Sequence, residues 1–145
     1  TDSGGAGKFR GGSGTAWEVE PLDKEMMCIG FGEGRRIPAM GAAGAFSHDI
    51  DSKVGRVELK RSGKVELKRT NIMETIKPGD TVTNMNPGGG GYGNPHERPI
   101  ERVVWDVKNG LVSIAGARRD YGVVITDPET LDVDVDATRR LRSAA

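Results

Sequence analysis

The sequence predicts one α+β domain over residues 1–145, mainly β, with glycine-rich extended segments and short helices at its carboxyl-terminal end. Three observations carry this. Apolar residues alternate with charged ones in the repeat at 57–69, among other strand-like segments of residues 1–97, and they recur at helical spacing in 98–145. Glycine clusters, "GGAGKFRGGSG" and "NPGGGGYGNP", interrupt the first portion. Proline and glycine punctuate the second at helix-start and helix-stop positions.

Taken in order, the opening "TDSGGAGKFRGGSG" has the composition of a disordered tail, yet Phe9 and Arg10 offer anchoring side chains; both states stay open. "TAWEVEPL" suits a strand through Trp17 and Val19, stopped by Pro21. "EMMCIGFGEG" reads as a second, buried strand, Met26 to Phe31, ended by glycines. "RRIPAMGAAGAF" has little periodicity and reads as an irregular packed connection.

A tandem repeat follows, "VELKR" at 57–61 and 65–69, separated by "SGK". Val57, Leu59, Val65 and Leu67 alternate with charged residues, and Ser62-Gly63 marks a tight turn, so the repeat predicts a hairpin with one polar face. Its Lys-Arg pairs are read as a solvated strand face, since glutamates alternate with them. Pro78-Gly79-Asp80 is a turn, leading into a strand from Thr81 to Met85. Beyond Pro99, Ile100, Val103, Val104 and Val107 share a helical face that Gly110 ends. Ser113 caps a second helix with Ile114, Ala117 and Tyr121 inward and Gly122 as terminator. "VVIT" reads as a short strand, "LDVDVD" alternates like a solvated strand, and Asp136 is placed as the cap of a last helix.

Composition narrows function. Hydrophobic residues make up 35% and aromatics 5%, a thin core that is expected to lean on a partner surface. Twenty-one basic against 21 acidic residues give no basic excess for nucleic acid or a membrane surface. A lone Cys28 supplies neither a disulfide framework nor a multi-cysteine zinc site. No apolar run approaches the roughly 20 residues of a membrane span, and a reduced, cytoplasmic setting is the default expectation.

Two nucleotide motifs are approached and missed. "GGAGKF" has Asp2 where a Walker A loop needs its first glycine and Phe9 where it needs a hydroxyl. Gly88, Gly90 and Gly93 satisfy G-x-G-x-x-G, but Pro95 and Pro99 follow and no helix opens on the loop. A slack linker would not carry Tyr92 between Pro87 and Pro95. Packed, polyproline-II-like extended segments are favoured, where glycine lets backbones close in and proline needs no ladder donor. His48 and His96 lack metal-ligand spacing, and Asp49 and Asp51 beside His48 add only a loop. Cys28 has no cationic neighbour to make it a nucleophile. Asp132, Asp134 and Asp136 lack the glycine and glutamate of a calcium loop. No residue is therefore assigned a catalytic, cofactor-binding or metal-ligating role.

Three segments in fixed order, "DSGGAGKFRGGSG", "PGDTVTNMNPGGGGYGNPHER" and "DVKNGLVSIAGARRDYGVV", resemble the carboxyl-terminal region of the hydantoinase B/5-oxoprolinase family. The resemblance implies a barrel-like β portion beside the extended segments. Family members are usually longer, so this chain resembles a closing portion. Thr1 before the first motif fits a start that lost its methionine, as in a gene split of the acetophenone carboxylase type. That resemblance implies a small, non-catalytic subunit of a heteromeric, biotin-independent carboxylase acting on an aromatic ketone. It would complete a larger hydantoinase-B-like subunit, with Mg-ATP bound in hydantoinase-A-like ATPase partners. The corresponding subunit of an ATP-dependent hydantoinase or 5-oxoprolinase is the alternative. A further rival has the chain supply Arg10, His48, Tyr92 or His96 to a site in trans; another makes it an independent ligand-binding module.

Overall fold

The computed structural model describes residues 1–31, 37–47, 56–68 and 72–144. In chain order the elements are β1 (Thr15–Val19), β2 (Met26–Gly30), β3 (Arg56–Arg61), β4 (Lys64–Lys68), β5 (Ile72–Ile76), β6 (Thr81–Asn86), a single 3-10 turn (Pro95–Glu97), α1 (Ile100–Lys108), α2 (Ile114–Tyr121) and α3 (Val135–Ser143). The fold is α+β and mainly β. It divides into two compact units, Gly14–Pro38 with Ile50–Pro87, and Thr1–Ser13 with Ala39–Asp49 and Gly88–Ala145.

The first unit holds all six strands. A four-stranded antiparallel sheet runs in the order β1-β6-β3-β4, and β2 pairs with β5 in a second, two-stranded sheet. Val57, Leu59 and Val82 from the larger sheet and Cys28, Ile72 and Ile76 from the smaller form one core, with Val19 packed against it. Full burial of each such aliphatic side chain contributes about 1.5–3 kcal/mol. Arg61 ties the sheets together. Its Nη2 donates to the Thr75 carbonyl at 2.8 Å, and its Nε donates to Asp80 Oδ2 at 3.1 Å. Asp80 sits in the Pro78-Gly79 turn, which its own N–H closes onto the Lys77 carbonyl at 2.9 Å. Burial opposes the Asp80 charge, but the Lys77 N–H and the Arg61 guanidinium outweigh it and hold the carboxyl below its ordinary range.

The repeat forms the expected hairpin, with positive φ at Ser62 (50°) and Gly63 (77°), the loop that matches strand twist. Its apolar residues, however, do not share a face. Arg61 pairs with Lys64, so Val57 lies opposite Lys68 and Leu59 opposite Glu66. Val57 and Leu59 are buried, while Val65 and Leu67 point to the other face and are exposed. The repeat spacing of eight keeps parity, and the pairing across a two-residue turn reverses it. Other expectations are corrected as well. β2 ends at Gly30, and only Cys28 and Gly30 of it are buried, because β5 alone covers it and only one face meets the core. β5 itself was not foreseen: Ile72 and Ile76 are four residues apart and hide a short strand.

In the second unit, Val103, Val112, Ala117, Tyr121 and Val123 pack with Ala6 from the amino-terminal segment. Ser113 caps α2 as expected, its Oγ accepting from the Gly116 N–H at 2.8 Å. Gly122 closes it in the left-handed region at φ 61°, with its N–H on the Ala117 carbonyl. The cap of α3 is Asp134 rather than Asp136: Asp134 Oδ1 accepts from the Ala137 N–H at 2.8 Å, two residues earlier than the sequence suggested. "VVIT" and "LDVDVD" form no strands. They meet at one isolated bridge, Ile125 to Val133, and Thr138 of α3 takes up the Val124 N–H at 3.0 Å.

Candidate functional site

The amino-terminal segment is ordered. Thr1 Oγ1 donates to the Gly110 carbonyl at 2.8 Å, and Asp2 Oδ1 accepts from the Ser113 N–H at 2.8 Å. From there residues 3–12, 40–46 and 88–93 interlock through their backbones, the middle run turning at Ala43-Gly44. Gly5 N–H donates to the Gly89 carbonyl at 2.8 Å, Gly89 N–H to Gly12 at 3.0 Å, and Gly11 N–H back to Gly5 at 2.9 Å. The middle segment joins through Ala42 N–H to Gly91 at 3.0 Å and Phe46 N–H to Ala6 at 2.8 Å. Phe9 and Tyr92 exchange both backbone bonds, each at 2.9 Å.

Glycine is required here by distance. A Cβ on Gly91 would lie 2.6 Å from the Ala6 carbonyl oxygen, and one on Gly7 would lie 2.7 Å from the Tyr92 nitrogen. At Gly5, Gly11, Gly88 and Gly90 a Cβ would also strike backbone of a neighbouring run, and at Gly41 that of Ala45 and Phe46 in its own. The obstacle in each case is main chain, which has no rotamer by which to yield.

A buried charge cluster locks this bundle to the helices. Asp106 of α1 is fully buried, and Arg98 reaches its Oδ2 with Nε at 3.0 Å and Nη2 at 2.9 Å. Arg10 Nε lies 3.6 Å from Oδ1 of the same carboxylate, and Arg10 Nη1 donates to the Gly11 carbonyl at 2.8 Å. Arg98 Nη1 donates to the Lys8 carbonyl at 2.9 Å, so two guanidiniums and one carboxylate connect the first segment to α1. Arg142 of α3 adds bonds from Nη2 to the Arg98 carbonyl and from Nε to the Tyr121 carbonyl, at 2.9 and 3.0 Å. Tyr121 is buried, and its hydroxyl has no hydrogen-bond partner among the described residues. Burial pushes its phenol up to about 12; Asp106 and Asp120 act in the same sense, against Arg98 and Arg10.

Of the residues weighed for a role in trans, Arg10, Tyr92 and His96 are described. Arg10 is committed to Asp106. Tyr92 is exposed, with its ring tilted against Phe9 at 6.3 Å between centroids. The His96 ring lies beside Gly122 at the end of α2, and the His96 backbone N–H donates to Asn94 Oδ1 at 2.9 Å. His48, Asp49 and Asp51 lie outside the described residues. Burial raises the Cys28 thiol, the opposite of what a nucleophile needs. An open cavity of about 270 Å³ beside Asp2, Ala6 and Phe46 has Arg119 at its rim, bound by both oxygens of Asp120 at 2.7 Å. Among the described residues no three His, Cys, Asp or Glu side chains are grouped to hold a metal ion. No helix among them is long and apolar enough to cross a membrane. What the arrangement does is hold backbones together.

Sequence reasoning missed Asp106 as the hub. The available signal was its place one turn from Val103 on the apolar stripe of α1, where a carboxylate must find buried cations.

The hydantoinase B/oxoprolinase family model matches residues 1–95. The chain belongs to that family. It is 53% identical over 133 residues to "Caprolactamase subunit beta" of Pseudomonas jessenii, an alignment covering 91% of this chain and 23% of that subunit. The crystal structure of ATP-dependent caprolactamase from the same organism matches with a TM-score of 0.77 at 51% identity, over 99% of this chain and 24% of the other. A nucleotide-free acetone carboxylase structure matches with a TM-score of 0.67 at 22% identity, over 99% and 23%, a likeness of fold. The chain thus spans about a quarter of the length of these relatives.

Proposed function

We propose that this chain is a structural portion of a hydantoinase-B-type subunit in an ATP-dependent, heteromeric enzyme, and carries no catalytic group itself. The observation that supports this best is the 53% identity, spread over 91% of the chain but only 23% of the caprolactamase subunit. The interlocked segments, in a polyproline-II-like conformation, brace the larger subunit, and Mg-ATP binds in hydantoinase-A-like partners. A cytoplasmic setting goes with this role. For substrate, a cyclic amide of the caprolactam kind is favoured by the name that the 53% identical relative carries. Acetophenone carboxylation, the expectation drawn from sequence, is the competing substrate.

Reconstitution with hydantoinase-A-like and hydantoinase-B-like partners tests both parts. ATP hydrolysis stimulated by caprolactam supports the cyclic amide, whereas stimulation by acetophenone with bicarbonate supports the carboxylase. Arg10→Gln, Tyr92→Phe, His48→Ala and His96→Ala are then assayed in the assembled enzyme. Turnover lost with assembly intact would assign the chain a catalytic group and overturn the bracing role.

A further inference from the structure

The outward face of the β2–β5 sheet is mainly apolar and exposed among the described residues. The register sets Met27 opposite Thr75 and Ile29 opposite Met73, on the side away from Cys28, Ile72 and Ile76. Phe31, just past the end of β2, is exposed as well. Met27, Ile29, Phe31 and Met73 are 60%, 47%, 72% and 69% exposed. An antiparallel sheet with one face in water carries polar residues on that face. β3 obeys this, with Glu58 and Lys60 opposite its buried Val57 and Leu59. The run Met26–Phe31 does not: it is apolar on both faces, the pattern of a strand covered twice. A two-stranded sheet is also marginal without further packing.

What covers it is indicated by length. The caprolactamase β subunit is about four times as long as this chain, and 77% of it (100 minus the 23% covered) lies outside the matched portion. Resting on the structural role given above, we propose that Met27, Ile29, Phe31 and Met73 dock against the polypeptide equivalent to that remaining three-quarters of a hydantoinase-B-type subunit.

The test uses Met73→Cys, with buried Cys28 as the internal reference, and follows maleimide labelling of the 145-residue chain alone and in its assembly with a hydantoinase-B-type polypeptide. Labelling slowed more than about tenfold in the assembly, a difference of about 1.4 kcal/mol, is expected. As a second reading, Ile29→Glu with Met73→Glu is expected to abolish co-purification while the isolated chain keeps its circular dichroism. If the assembly forms and Met73→Cys labels at the free rate, the docking face is overturned and the structural role stands. If no assembly forms with such a polypeptide, both fall. Protection in the isolated chain that grows with its concentration would make a second copy the occupant and overturn the proposal.

Discussion

Gly91→Ala puts the interlocked segments to a quantitative test. Its Cβ would stand 2.6 Å from the Ala6 carbonyl oxygen and 2.8 Å from the Gly5 oxygen. Ordinary contact begins at 3.4 Å, so the main chains must separate by 0.8 Å (3.4 minus 2.6). Three backbone hydrogen bonds span that gap: Gly91 N–H to Phe46 at 3.2 Å, Ala42 N–H to Gly91 at 3.0 Å and Phe46 N–H to Ala6 at 2.8 Å. Weakening two of them costs about 1 kcal/mol each, and overpacking adds about 1–3 kcal/mol. The expected loss is about 3–5 kcal/mol, or roughly 10 °C in midpoint for a chain of this size. Gly12→Ala is the matched control. A Cβ there meets nothing within 4 Å, and the change is expected to be neutral or to stabilise by up to about 1 kcal/mol. Urea unfolding followed by the fluorescence of Trp105, in the same unit as the bundle, measures both. Equal midpoints for Gly91→Ala and wild type would refute the interlock.

Other expectations follow from the charge cluster and the caps. Asp106→Ala leaves the buried Arg10 and Arg98 guanidiniums without their carboxylate, and the urea midpoint is expected to fall by the equivalent of about 3–5 kcal/mol. Tyr121 holds its proton to about pH 12 when folded, against 10.0 ordinarily. Between those values the unfolded chain has lost a proton that the folded one keeps, so stability is full below pH 10 and declines by about 2–3 kcal/mol as pH rises to 12. Phenolate absorbance and melting against pH would show it, and Tyr121→Phe is expected to remove the step at little cost, since the hydroxyl is unpartnered. Asp134→Ala is expected to cost about 1 kcal/mol and Asp136→Ala almost nothing; equal thermal shifts would restore Asp136 as the cap.

What was legible from sequence was local. Ser113 and Gly122 bracket α2 because capping and left-handed closure depend on neighbours in the chain. The glycine clusters announced close packing because only their spacing with Tyr92 and the prolines had to be read. Phe9 pairing with Tyr92, and Arg10 finding Asp106, join residues more than eighty positions apart, and no local pattern encodes such partners. β5 was hidden because Glu74 and Thr75 fill the interval between its two buried isoleucines. Arg10 shows how a residue weighed for chemistry can have its charge spent on architecture.

The hairpin of identical pentapeptides has a consequence for its history and its engineering. A duplicated segment carries no inside or outside of its own; the two-residue turn, Ser62-Gly63, and the register it sets assign them. Inserting one residue after Gly63 while the turn stays two residues long would shift the pairing by one and set Val65 opposite Leu59 and Leu67 opposite Val57, on the core side of β3. The same five letters, which now serve two different neighbourhoods, would then share one, with nothing in either copy altered.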